Sequence, residues 1–534
     1  MSGEPRAFLT QDSGGATIAM ALVGRVGGRW RLIGSVVLPV GADPGAVAAL
    51  LVERAMDADP ALSARLGLDR TPPDELPRVE VASHPARRLA IVAGSERALA
   101  PLVAAASRSG WRTSAASAET TDPLEMSTLL LDHAVDGILV GAGSPPAADE
   151  RRALGELGAL VAASARRRPE LPVVLAGGMG AELHAFGDMA DRLGRVLVGP
   201  AAHGGPDGGD LRELLTDLAL PADDSRRALG VATLTLADLL DRRIDVVELG
   251  FDGGTRVGAW SAATSGVAGV DLAIVPTAGL APADPDDQDV DRLATWSTNT
   301  TDRHRLRDRM RELRIAPWAD ASGDGGSLRM AAARAALGRL AEWTPEWADR
   351  PAADLVVATG GAWAVAPAPA VALALIDVLR RPGAGQFALD HARILSPLGS
   401  IPDPDERRAM VLDLIDDLLA PLGTFVTPAG VRPGRSAGSV VVHAATGSTR
   451  LDLMPGGLAL VDLPPGTAAV AEFRFRDRVR LGTRGRHFAI DVTGGLGGLV
   501  VDLRDVPLRL PDRADLRGEL LEAWQTSLMT GRDA

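Results

Sequence analysis

The 534-residue chain contains no cysteine, no tyrosine and no lysine. All 56 of its Lys+Arg residues are therefore arginine, its only asparagine is Asn299, and aromatic residues make up 3%. Each absence excludes a chemistry. Without cysteine there is no disulfide, thiol nucleophile, iron–sulfur ligation or cysteine–zinc site. Without lysine there is no Walker A loop, no Schiff base and no anchor for pyridoxal phosphate. Without tyrosine there is no phenol to act as acid or base. Ala, Gly, Arg, Asp and Pro are abundant, so the absences as a set read as the codon usage of a GC-rich genome. Long apolar runs are scarce as well. The longest uncharged stretch, Leu355 to Ile376, is interrupted by Gly360-Gly361, Pro367 and Pro369. It reads as strand, loop and helix rather than as a membrane span. Met1 to Leu9 has neither the basic nor the apolar region of a signal peptide.

The charge that is present is mostly acidic, with a formal net value of −13. Such a surface repels phosphate backbones and argues against nucleic-acid binding. The small cluster Arg166–Arg168 reads as a solvated helix face. Together these features predict a soluble, cytoplasmic protein with no membrane span and no nucleic-acid partner.

Hydrophobic periodicity divides the chain into four parts. In residues 1–85, strands at Ala7–Gln11, Ala16–Val23 and Trp30–Leu38 precede a helix at Pro44–Ala58. In residues 86–230, strands at Leu89–Ala93, Gly137–Val140 and Val173–Ala176 alternate with helices at Glu96–Ser109 and Asp149–Arg167. That alternation predicts a doubly wound parallel sheet. Gly94, Gly141-Ala142-Gly143 and Gly177-Gly178 at the strand ends either admit a ligand or simply close tight turns. In residues 231–424 the hairpin pattern returns, with strands at Ile244–Gly250, Thr255–Ser261, Asp271–Pro276 and Leu355–Thr359. Helices are expected at Thr301–Leu313, Leu328–Trp343, Ala370–Arg380 and Asp405–Ala420. In residues 425–534, six short strands separated by Pro-Gly and Gly-Gly turns predict an all-β module, closed by a helix at Asp512–Thr526.

Two hairpin turns carry the chemistry. The first is Asp12-Ser13-Gly14-Gly15-Ala16-Thr17. The second is Phe251-Asp252-Gly253-Gly254-Thr255, preceded by Glu248-Leu249-Gly250. Bare backbone N–H groups at such turns suit an anion, and the carboxylate can hold a metal or orient a water for attack on a phosphate. One such turn is common, because hairpins favour Asp and Gly for backbone reasons alone. Two copies, one in each half of the chain, together with a strand ending in Gly360-Gly361, form a constellation. It is the plan of the actin-like ATPases, in which two RNase H-like halves clasp ATP between two phosphate hairpins. On this plan the carboxylates of Asp12 and Asp252 are the catalytic candidates, with Asp12 also the magnesium ligand. Ser13, Gly14, Gly15, Thr17, Gly253, Gly254, Thr255, Gly360 and Gly361 are the nucleotide-binding candidates.

The chain resembles the MutL/GlmL proteins encoded beside adenosylcobalamin-dependent glutamate mutase, which are unrelated to the mismatch-repair protein of similar name. The resemblance rests on the first hairpin and on Asp136-Gly137-Ile138-Leu139-Val140-Gly141-Ala142-Gly143. It continues through Val174-Leu175-Ala176-Gly177-Gly178 and Val357-Ala358-Thr359-Gly360-Gly361-Ala362. Most specific are Asp390-His391-Ala392-Arg393-Ile394-Leu395-Ser396-Pro397-Leu398-Gly399 and the segment Gly498 to Pro511, which reads GLVVDLRDVPLRLP. The implied fold is α/β: a duplicated RNase H-like core with an inserted doubly wound domain and a C-terminal all-β module. The implied role is chaperone-like, with ATP and magnesium bound, cobalamin not bound directly, and a protein partner such as a mutase. The chain departs from the family at two points. Relatives carry lysine after the first loop, where this chain has Ile18-Ala19 and no cation. The second hairpin aligns two ways, with either Glu248 or Asp252 at the acidic position, and one of these puts bulky Phe251 where a glycine approaches phosphate. These departures argue against efficient ATP hydrolysis.

Other motifs fail on context. Gly434-Arg435-Ser436-Ala437-Gly438 matches a nucleophile elbow, but a strand follows where a helix is required. The acidic run from Asp284 to Asp291 lacks the glycine and glutamate of a calcium loop and reads as solvated. His391 reads as structural. The leading expectation is a nucleotide-binding accessory protein. The alternatives are an actin-like scaffold that has lost hydrolysis and a small-molecule kinase.

Overall fold

The computed structural model describes residues 6–142, 147–176, 196–202, 209–282, 284–299, 302–316, 323–434 and 436–530. The chain is mixed α/β, and among the described residues its strands form four sheets. It divides into two compact units. One comprises Met1–Ser83, Asp223–Leu272 and Ala278–Ala534; the other comprises His84–Ala222 with Ala273–Thr277.

The first unit opens with β1 (Ala7–Ser13), β2 (Thr17–Val26), β3 (Arg29–Pro39) and β4 (Arg78–Ala82). Their order is β3-β2-β1-β4, with β1–β2 and β2–β3 antiparallel and β1–β4 parallel. Gly27 and Gly28 join β2 to β3 with φ of 60° and 86°. A two-residue hairpin turn of this twist needs positive φ at both positions, which glycine adopts without steric cost. The apolar run of β2 is buried along its first eight residues. One face of the sheet packs on the helix Pro44–Ala58 through Leu9, Met20, Leu22, Val47 and Leu51. That helix starts where Asp43 accepts the Ala46 N–H and Pro44 occupies its first turn, the usual stabilisers of a helix N-terminus. The other face, through Phe8, Ala21 and Val23, joins the core of the helix Ser225–Leu240.

The same strand order returns in β10 (Arg243–Leu249), β11 (Gly254–Trp260), β12 (Gly269–Val275), β13 (Leu355–Thr359) and β14 (Gly383–Leu389), numbered after the five strands of the other unit. Here the order is β12-β11-β10-β13-β14, with β10–β11 antiparallel and β10–β13 and β13–β14 parallel. The uncharged run from Leu355 resolves into β13, a 3-10 turn at Gly361–Trp363 and the helix Ala368–Val378. Among the described residues no helix is long and apolar enough to cross a membrane.

The region from residue 420 adds β15 (Ala420–Thr427), β16 (Gly438–Ala444), β17 (Gly447–Leu453), β18 (Leu458–Val461), β19 (Ala468–Leu481), β20 (Thr483–Thr493) and β21 (Leu499–Asp502). β15, β21 and β18 extend the β10–β14 sheet to eight strands, whereas β17-β16-β19-β20 make a separate antiparallel sheet. The short helix Leu395–Gly399 packs on Ser225–Leu240, and a β-carbon at Gly399 would overlap the Ala228 carbonyl oxygen and lie 3.0 Å from Ala232 N. Gly399→Ala is therefore expected to lower stability by about 1–3 kcal/mol by overpacking, read as a lower urea midpoint with an unchanged slope. An unchanged midpoint would show that this helix pair parts freely.

The second unit holds β5 (Arg88–Ala93), β6 (Arg112–Ser117), β7 (Gly137–Gly141), β8 (Val173–Ala176) and β9 (Val196–Gly199). All are parallel, in the order β6-β5-β7-β8-β9. A β-carbon at Gly141 would strike Leu102, and one at Gly94 would lie 2.5 Å from Glu150 Cγ. Close packing therefore accounts for both glycines. Gly143 and Gly177-Gly178 lie outside the described residues.

Candidate functional site

The first hairpin turns at Gly14, Gly15 and Ala16. Asp12 and Ser13 belong to β1, not to the turn as the sequence suggested. The Gly14 N–H donates to the Thr17 carbonyl at 2.7 Å, and the second hairpin repeats this bond from Gly250 N–H to the Gly253 carbonyl at 2.9 Å. The registers correspond too. Ser13 pairs Ile18 as Leu249 pairs Gly254, and Asp12 pairs Ala19 as Glu248 pairs Thr255. On the parallel side, Asp12 lies opposite Val81 of β4, and Glu248 lies opposite Thr359 of β13. Glu248 is thus the positional counterpart of Asp12, which decides between the two alignments. Asp252 stands instead at the hairpin tip, where Arg314 Nη1 donates to its Oδ1 at 2.7 Å.

The tip containing Asp252, Gly253 and Gly254 is held from behind. Leu280 and Ala281 N–H groups donate to the Gly250 and Phe251 carbonyls at 3.0 and 3.2 Å. Phe251 is 5% exposed, with the Arg329 guanidinium 5.3 Å from its ring centre. The phenyl group is therefore in the core, and the feared obstruction of a phosphate does not arise. Burial also pushes the Arg329 pKa down to about 10.

The three glycine motifs converge. A β-carbon at Gly15 would overlap Asp252 Oδ2, so the two hairpin tips face one another. A β-carbon at Gly361 would lie 2.5 Å from Thr17 Oγ1, and one at Gly360, whose φ is 106°, would overlap the Leu249 carbonyl oxygen. The Gly-Gly turn is seated between the end of β10 and the start of β2. Ser13 closes the first strand, its hydroxyl accepting from Gln11 Nε2 at 3.1 Å.

Ile18-Ala19 supplies no cation, but the site has one from elsewhere in the chain. Arg393 Nε and Nη2 donate to Asp12 Oδ2 at 3.0 and 2.5 Å, and its Nη1 donates to Thr17 Oγ1 at 2.5 Å. Both side chains of the pair are buried. Arg393 has a φ of 53°, a left-handed backbone that non-glycine residues seldom adopt. Asp390 stabilises that turn by accepting the Ile394 and Leu395 N–H groups at 3.1 and 3.3 Å, and it accepts the Thr359 hydroxyl at 3.0 Å. Burial pushes the Asp390 carboxyl up to about 6, against the pull of these hydrogen bonds and of Arg393. Strain that its surroundings hold in place is characteristic of functional sites. Arg393 lies inside a motif the sequence singled out, but its role depends on contacts that the motif does not display.

Glu248 completes the cluster. Desolvation raises its pKa to about 7, opposed by the neighbouring Thr255 hydroxyl and by Arg226 and Arg393, with Asp12 pushing the same way as burial. A carboxyl poised near neutrality suits general-base work. Among the described residues there is no group of three or more His, Cys, Asp or Glu side chains suited to hold a metal. Asp12 Oδ1, however, is buried without a hydrogen-bond partner. A single such oxygen fits magnesium, which takes one or two carboxylates and fills its remaining positions with water and phosphate. His391, expected to be structural, has its pKa lowered by burial.

No protein-family model matches the chain, and no curated protein matches it. Among solved structures, it is similar to a Ppx/GppA family member from Aquifex aeolicus, with 9% identity, 77% of this chain and 90% of that chain covered, and a TM-score of 0.21. It is similar to acetone carboxylase in a nucleotide-free structure, with 12% identity, coverage of 83% and 80%, and a TM-score of 0.27. A third likeness is to a PilM–PilN type IV pilus biogenesis complex, with 11% identity, coverage of 77% and 98%, and a TM-score of 0.22. Likeness at this level carries no functional argument, so function is read from the site itself.

Proposed function

We propose that the chain is a nucleotide-binding accessory protein of actin-like ATPase architecture, with two RNase H-like halves facing one another across the hairpins. The observation that carries this reading is the convergence of the two hairpin tips and the Gly360-Gly361 turn on one point, with a guanidinium among them. Gly14, Gly15, Gly253 and Gly254 would present backbone N–H groups to the phosphates. Thr17 and Thr255 would flank them. Gly360 and Gly361, packed closely on Leu249 and Thr17, would hold their turn beneath the nucleoside. Arg393 would turn from Asp12 to a phosphate, which its planar fork binds through two parallel hydrogen bonds. Asp12 Oδ1 would hold magnesium, which supplies charge neutralisation between the phosphates when bound. Glu248 would accept a proton from the attacking water, taking the place expected of Asp252 among the catalytic carboxylates.

Turnover is expected to be slow, because the Asp12–Arg393 pair must open first. The motif resemblance to the MutL/GlmL proteins extends the proposal to a chaperone-like action on a protein partner. An adenosylcobalamin-dependent mutase is the first candidate, with cobalamin held by that partner.

Calorimetry with ATP and magnesium is expected to give micromolar binding. Gly361→Val, which drives a side chain against Thr17, is expected to weaken it by at least about tenfold while the thermal melt stays cooperative. No heat up to millimolar ATP would remove the nucleotide reading. One observation favours a second reading as a nucleotide-free scaffold: the Asp12 carboxylate is already neutralised from within the chain.

A further inference from the structure

We propose that the outer face of the β19–β20 ribbon docks an acidic surface of a protein partner; this rests on the accessory-protein reading and gives the partner its chemistry. Between positions 474 and 487 the sequence has six arginines and one acid, Asp477, in a chain of net charge −13. The strand pattern puts all six arginines outward. Phe473, Phe475, Val479 and Leu481 of β19 are buried in the core beneath, while Arg474, Arg476, Arg478 and Arg480 are exposed. Arg484 and Arg486 of β20 are exposed beside them.

The register sets Arg480 directly opposite Arg484 and Arg474 opposite His487. Like charges facing across strands cost stability. None of the six guanidiniums makes an ion pair with the described residues. Alternation alone asks only for polar residues on this face, and threonine, serine or glutamine would satisfy it. Protection of a sheet edge does not explain the four arginines of β19, which lies inside its sheet between β16 and β20; only Arg484 and Arg486 stand on the edge strand β20. Solubility does not explain it either, since mixed signs serve that purpose better than one sign.

A stripe of arginines without ion pairs, with Glu472 at its end beside His443, is what a complementary surface would neutralise. Alternate residues of a strand stand roughly 7 Å apart, close to the spacing of carboxylates along a partner strand or on successive turns of a helix. Arginine binds carboxylate through two parallel hydrogen bonds. Nucleic acid fits less well. Its recognition usually adds base stacking on exposed aromatics, and Phe473 and Phe475 are buried.

The test is fluorescence anisotropy on the full chain with three labelled probes: a peptide of alternating glutamate and serine, a single-stranded RNA oligomer, and phosphatidylserine-containing vesicles. The peptide is expected to bind, more weakly as salt rises from about 50 to 200 mM. The quadruple variant Arg474→Gln, Arg478→Gln, Arg480→Gln, Arg484→Gln is expected to lose at least about tenfold in peptide affinity, with its melt and ATP titration unchanged. Peptide binding retained in full by the variant overturns the stripe, whatever the ATP titration gives. Tighter binding of RNA or vesicles than of peptide overturns the choice of a protein partner.

Discussion

Arg393→Met is expected to lower the stability of the nucleotide-free chain by about 3–5 kcal/mol, the usual cost of removing one partner from a buried ion pair. Arg393 supplies three hydrogen bonds to the first hairpin, two to Asp12 and one to Thr17. Without it, the buried Asp12 carboxylate faces Glu248 with no cation of its own. Asp12→Asn in the same chain removes the orphaned charge, so the double variant should recover most of the loss. The double variant also asks whether the strained turn persists once its electrostatic partner is gone. Urea unfolding of the two single variants and the double variant gives the coupling directly. A coupling near zero would mean that the pair contributes nothing to the fold, and the picture of a closed, self-paired site would be wrong.

Glu248→Gln is expected to act in opposite directions on stability and on turnover. The folded carboxyl has its pKa raised to about 7 from an ordinary 4.5. Its contribution is therefore most favourable below about pH 4.5 and is lost as pH rises through about 7. Glutamine does not titrate. The variant should match the wild type near pH 4.5 and exceed its stability by about 3 kcal/mol above pH 8. If Glu248 is the general base, phosphate release from ATP should fall by about 10²–10⁴-fold in the same variant. Thermal melts across pH and a phosphate-release assay at saturating ATP read the two effects separately. A variant that is no more stable at pH 8 would place the Glu248 carboxylate in solvent. A variant with unchanged phosphate release would remove it from the chemistry.

Much of the fold was legible because its cores are written locally. The helix Pro44–Ala58 and the strands Val173–Ala176 and Leu355–Thr359 lie where periodicity places them, down to their end residues. What escaped has physical causes. β6 reads RTSAAS and has no apolar alternation, and as the outermost strand of its sheet it buries little. The helices Pro123–Leu131, Gly209–Ala219 and Ser225–Leu240 were not read. The last reads SRRALGVATLTLADLL, and its glycine, valine and two threonines break up the propensity signal, so its stability rests on packing. Charge interrupts the apolar pattern of β19 after Arg476, yet the strand runs on to Leu481.

In the site, the glycines and Asp12 stand out as motifs, whereas Glu248 was one of two candidates until the hairpin register placed it. The missing cation is the clearest case. Ile18-Ala19 is neutral, as the sequence says, and the charge arrives instead from a turn far along the chain. No local pattern encodes that meeting.

The Asp12–Arg393 bond also bears on biosynthesis, because it joins positions 381 residues apart. The first hairpin is made early, but its carboxylate has no counter-charge until most of the polypeptide has left the ribosome. Contacts of such separation form late. The nascent amino-terminal sheet is therefore expected to stay loose and exposed to chaperones and proteases until the segment around Arg393 emerges. Truncations ending before that turn would leave β1 and β2 without the group that closes them, and deletion series of this protein would show solubility returning only once that turn is included.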